Sequence, residues 1–79
     1  MAIEDISSGN LDNYVKIQGE IIEIKNYDTL TVLTIKDETD EIRAISYENI
    51  SVSGKVEIIG KVKAWKGILE IEIDKIIAS

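Results

Sequence analysis

The chain has 79 residues, 15 acidic and 9 basic, for a formal net charge of −6. That length holds one small domain, near the lower limit for a core without disulfide or metal staples. The absence of cysteine and histidine removes disulfides, thiolate chemistry, the usual general base and the commonest metal ligand.

No apolar run reaches the length of a membrane span, and the N-terminus lacks a basic segment leading into an apolar block. A cytoplasmic protein with no membrane partner is expected. The acidic balance works against a polyanionic ligand at long range, but salt screens that field within about 8–10 Å. The placement of the lysines therefore matters more than their sum.

Met1 to Asn13 is polar with scattered apolar residues, and is expected to form an arm over residues 1–13 that packs Ile3, Ile6 and Leu11 loosely on the end of a barrel formed by residues 14–79. Tyr14 reads as packing. Val15 to Lys25 alternates as a first strand, with Val15 and Ile17 inward and Lys16 and Gln18 outward. After Gly19 the parity is expected to shift, bringing Ile22 and Ile24 inward, as at a bulge. Asn26 to Leu30 is a loop and Thr31 to Lys36 a second strand. The acidic run Asp37 to Asp40 supplies hairpin-turn chemistry.

Glu41 to Tyr47 is the third strand, with Ile42 and Ala44 on one face and Arg43, Ile45 and Tyr47 on the other. Glu48 to Ser53 is too short for a helix. Gly54 leads into a fourth strand, Lys55 to Lys63, in which Gly60 is expected to mark a second parity shift between Val56 and Ile58 and the pair Val62 and Ala64. Trp65-Lys66-Gly67 is a tight turn. Ile68 to Ile77 is the fifth strand, with Leu69, Ile71 and Ile73 on one face and Glu70, Glu72 and Asp74 on the other. No stretch carries a helical period.

Strands coiled at an internal glycine suit a closed barrel, which also removes edges that would make an Ile/Val-rich chain aggregate. The expected fold is all-β, a five-stranded Greek-key OB barrel. On its outer face Arg43 can reach a phosphate or lie flat on a base, and Tyr47 offers a π-face. Lys61 and Lys63 point outward beside Trp65, with Lys66 following. With Lys36 and Arg43 they would form one basic stripe, over which Tyr47 and Trp65 would lie side by side.

Each residue also has a plainer reading. Trp65 is either a stacking platform or a lid folded on the barrel end, and Tyr47 a platform or a half-buried strand tyrosine. Tyr27 either clamps a nucleotide or is a tolerated loop residue. Surface lysines serve solubility on any protein. The carboxylates around Thr39 are expected to face water, with no partner of another chemistry to make a catalytic or metal site. The glycines have no phosphate-loop spacing. No catalytic activity and no cofactor are expected.

The run Val15-x-Ile17-x-Gly19, the segment from Ile35 to Ala44, the triplet Tyr47-Glu48-Asn49 and Gly54-Lys55-Val56 resemble the single-stranded-DNA-binding OB domains of archaeal and eukaryotic replication protein A. The resemblance covers nearly the whole chain, although Asp40 stands where that family usually has glycine. It implies two base-stacking rings, matching Tyr47 and Trp65, with Lys36 and Arg43 on the backbone. The function so implied is sequence-tolerant binding of single-stranded DNA, in replication and repair, by one module of a larger multi-domain protein. Its partners would be DNA, neighbouring OB domains or other replication proteins. Two alternatives remain: RNA, including tRNA, and a protein partner met by the acidic face of Glu20, Glu23, Glu70, Glu72 and Asp74.

Overall fold

The computed structural model describes residues Met1–Ser79. Its strands are β1 (Tyr14–Asn26), β2 (Thr31–Lys36), β3 (Glu41–Ser46), β4 (Lys55–Trp65) and β5 (Ile68–Ala78). They close into one barrel in the order β1-β2-β3-β5-β4. Neighbours run antiparallel except β3 and β5, which are parallel over Arg43↔Glu70, Ala44↔Ile71 and Ile45↔Glu72. β1 serves both sides of the barrel: its first half pairs with β4 and its second with β2, both ladders meeting at Glu20.

Alternation builds the interior. Val15 and Ile17 of β1, Leu33 and Ile35 of β2, Ile42 and Ala44 of β3, Val56, Ile58 and Val62 of β4 and Ile71 of β5 form the core. Each buried Val, Leu or Ile among them is worth roughly 1.5–3 kcal/mol relative to exposure. The residues 48–53 form no helix, and Ile50 and Val52 pack against the core from this connector.

The bulges do not fall where the glycines predict. In β1 the shift lies between Ile21 and Glu23, so Ile22 is the extra residue and stands 48% exposed instead of inward. Ile24 does turn in, packing on the core. In β4 the alternation runs unbroken through Gly60, and the irregularity belongs to β5, where Asp74 is skipped between Ile73 and Lys75. Ala64 is exposed, not inward.

The glycines answer a different need. A Cβ on Gly19 would stand 2.7 Å from the Lys36 carbonyl oxygen, and one on Gly60 would stand 2.6 Å from Ile71 Cγ2 and meet the Glu72 backbone. Both mark places where a neighbouring strand crosses too closely for any side chain.

The arm is more ordered than expected. It forms two short 3₁₀ turns, Ile3–Asp5 and Ser8–Asn10, and buries Ile3 and Ile6 in the core cluster. Leu11 stays exposed, as does Tyr14. No helix is long and apolar enough to cross a membrane, which says nothing of strands.

Candidate nucleic-acid interface

The β4–β5 hairpin is closed by Lys66 and Gly67, with φ of 52° and 80°, between paired Trp65 and Ile68. Two successive positive φ values are the type I′ geometry that matches strand twist, and glycine adopts it without a Cβ penalty. Trp65 therefore falls at the last position of β4, in phase with outward Lys61 and Lys63. The ring is 53% exposed, next to equally exposed Ile68, and contributes nothing to the core cluster.

Two cations attend that ring. Lys66 Nζ lies 4.6 Å from its centroid and Arg43 Cζ 5.7 Å, both within cation–π range. Arg43 Nη2 is also 2.7 Å from a Glu70 carboxylate oxygen. The strand register explains this: Thr34, Arg43, Glu70 and Lys63 lie in one row across β2, β3, β5 and β4.

The same register breaks up the expected basic stripe. Glu70 and Glu72 of β5 stand between Arg43 on β3 and the lysines of β4. Lys63 donates to Asp12 Oδ1 at 2.8 Å, which raises the ammonium pKa and lowers that of the carboxyl. Lys61 Nζ sits 5.2 Å from the Tyr14 ring centroid. The outer face is thus a row of opposite charges carrying one exposed indole.

Tyr47 lies one residue beyond β3 and is 67% exposed. It is not beside Trp65. Arg43, next to the indole, precedes Tyr47 by four positions of mostly extended chain, about 13 Å at the rise of a strand. Tyr47 shares its end of the sheet with Tyr27 instead: Ser46 pairs with Thr31, and the Tyr27 N–H donates to the Leu30 carbonyl at 2.8 Å in the β1–β2 loop. Tyr27 is exposed too.

Lys36 occupies a third place. It is flanked in register by Glu20 and Glu41 and lines a groove of about 800 Å³ with Gln18, Glu20, Glu38 and Lys55. No aromatic side chain borders this groove.

The acidic turn does not simply face water. Asp37 accepts from the Ile3 N–H at 2.8 Å, the Thr39 N–H at 2.7 Å, the Thr39 hydroxyl at 2.6 Å and the Asp40 N–H at 3.0 Å. Desolvation pushes its carboxyl pKa up, but these bonds outweigh it and hold the group well below the usual carboxylate range. The Glu4 N–H adds a bond to the Thr39 hydroxyl at 3.1 Å. The turn is a clasp for the arm. Short polar residues in Asp-x-Thr-Asp spacing were the available signal, though nothing local revealed that Ile3 was the partner.

No protein-family model matches this chain, and no curated protein matches it. Solved structures do. Part of the asparaginyl-tRNA synthetase of Pyrococcus horikoshii, in complex with asparaginyl-adenylate, is similar with TM-score 0.86 and 17% identity over 99% of this chain and 21% of that one. A replication protein A heterotrimer bound to single-stranded DNA gives TM-score 0.76 and 14% identity, over 84% of this chain and 57% of that one. The second OB-fold domain of replication protein A from Methanococcus maripaludis gives TM-score 0.64 and 24% identity, over 87% of this chain and 84% of that one. The chain spans about a fifth of the synthetase. These similarities, with the closed barrel, establish the OB fold.

Proposed function

We propose that this OB-fold domain binds nucleic acid, and that its ligand is a single strand of DNA held mainly by base stacking and without sequence preference. The observation that carries the reading is Trp65: a large ring left half exposed on the outer face, with Arg43 and Lys66 beside it. Stacking a base on an aromatic side chain is worth roughly 1–3 kcal/mol. Tyr47, with Tyr27 at the same end of the sheet, offers a second platform. Trp65 lies two strand positions beyond the Arg43 row, away from Tyr47, so a strand touching both ends must cross about 20 Å, roughly six nucleotides at the 3.4 Å rise of a stacked strand. Lys36, Lys61 and Lys66 are the cations left for its backbone, since Arg43 and Lys63 are already paired with Glu70 and Asp12.

Two stacked bases and few unpaired cations make a weak site, between about millimolar and tens of micromolar. Useful affinity then comes from linkage to neighbouring OB domains or other replication proteins, which converts later contacts into intramolecular ones. The similarity to a replication protein A heterotrimer supports that setting.

The test is Trp65 fluorescence during titration with an oligo-dT of about eight nucleotides, at low and at physiological salt. Quenching that saturates in the micromolar to millimolar range is expected, weakening as salt rises. Absence of quenching at any salt, or nanomolar affinity for the lone domain, overturns the reading. RNA is the second reading, favoured by the near-complete overlap with part of a tRNA synthetase. Competition between oligo-dT and oligo-rU of equal length decides between them.

A further inference from the structure

Arg43 is the cation nearest Trp65, yet its charge is already answered. Its Nη2 lies 2.7 Å from Glu70, whose side chain is only 12% exposed, while that of Arg43 is 37% exposed. Glu70 is the single acidic residue in the buried set, and the register fixes it between Arg43 on β3 and Lys63 on β4. Lys63 turns away to Asp12, so Glu70 faces Arg43 alone among the ion pairs of this row. Glu72, two positions on, holds no such pair and lies opposite Ile45 and Lys61.

We infer that Glu70 is a brake on nucleic-acid binding: it neutralises Arg43 and holds the guanidinium beside Trp65, so that Arg43 supports the stacking platform and releases no counterion to the ligand. This rests on the reading of Trp65 as a base platform. A free arginine contacting one phosphate of a single strand adds about 0.7 to the steepness of log affinity against log salt. A guanidinium locked to a carboxylate adds nothing. The carboxylate also repels an approaching phosphate, so removing its charge both frees the cation and lifts that repulsion.

The experiment measures oligo-dT affinity by Trp65 fluorescence across a salt series for the wild type, Glu70→Gln and Glu72→Gln. Both variants change net charge equally, and only the first touches Arg43. Glu70→Gln is expected to bind about fivefold tighter at low salt and to steepen the salt slope by about 0.7, while Glu72→Gln changes affinity by less than about twofold. Arg43→Gln in the wild-type background reads the same claim without altering Glu70. It is expected to leave the slope unchanged, and a slope that falls by about 0.7 overturns the brake. Wild-type binding without tightening in Glu70→Gln, or equal tightening in both glutamine variants, overturns this inference and leaves the proposed function standing. A wild type silent at every salt overturns the proposed function and, with it, the brake. Silence in every protein removes both readings.

Discussion

Two tight turns of this barrel treat their polar and apolar groups in opposite ways. The Asp37–Asp40 turn satisfies its polar groups within the protein: the Asp37 carboxylate takes bonds from Ile3, Thr39 and Asp40 and ties the arm to the barrel. The Lys66-Gly67 turn keeps its apolar groups out, leaving Trp65 and Ile68 in water with cations over the indole. Folding explains the first arrangement, because satisfied backbone donors at a turn stabilise it. It does not explain the second, since an exposed indole forgoes the burial its area would reward. A group that the fold does not use is where a ligand is to be sought.

Removing the indole is the strongest way to break that contrast. Trp65→Ala should weaken binding to a single strand by about 1–3 kcal/mol, roughly 5- to 150-fold, while shifting the melting temperature little. Because the substitution removes the fluorophore, binding is followed by chemical-shift perturbation or by anisotropy of a labelled oligonucleotide. A melting temperature that collapses with the substitution would make Trp65 part of the fold.

The converse substitution tests the other turn. Asp37→Ala should cost about 1 kcal/mol, on the scale of a lost helix cap, and leave single-strand affinity unchanged. The clasp also predicts acid sensitivity. The folded pKa of Asp37 is depressed, so its contribution is fully present above the ordinary carboxylate pKa near 3.8 and is lost as the pH falls below it. Wild type and variant should therefore converge in stability as thermal melts are taken from neutral pH to strongly acid pH. A gap that persists in acid would place the effect in packing.

Most of the barrel could be read from alternation, because a side chain's face on a strand is set by a period of two. That gave the strand limits to within a residue or two, and the inward Val15, Ile17, Val56, Ile58 and Val62. The errors came where two strands meet. Glycine looked like a bulge in a single strand, whereas Gly19 and Gly60 answer the close passage of Lys36 and of Ile71 with Glu72, which one strand alone does not reveal. The interface was legible in its residue types and illegible in its arrangement. Trp65 and Tyr47 are both exposed, but the separation of the rings and the insertion of Glu70 and Glu72 among the cations follow from the parallel β3–β5 register. Asp37 was missed because its partner Ile3 is 34 positions away in the chain.

Separated rings sharpen the contrast further. Tyr47→Ala should reduce affinity for an eight-nucleotide strand by about 1 kcal/mol, less than Trp65→Ala, because no cation is stacked on its ring. Against a dinucleotide, too short to reach from Trp65 across about 20 Å, the same substitution should do nothing. An equal loss with both lengths would mean that a single base contacts both rings.

The smallest expected effect concerns Lys63. Sequence placed it among the cations beside Trp65, and the structure shows its ammonium donating to Asp12 with both groups in water. An exposed pair of this kind contributes little to stability, so Lys63→Gln should melt with the wild type. Its effect on binding discriminates more finely than its effect on folding. If Asp12 occupies the ammonium as Glu70 occupies Arg43, the salt slope for oligo-dT should not change. A slope lower by about 0.7 would mean that the ligand takes Lys63 from Asp12. In that case the row of opposite charges opens when a strand arrives, and the contrast between the two turns extends to how readily each surrenders its partners.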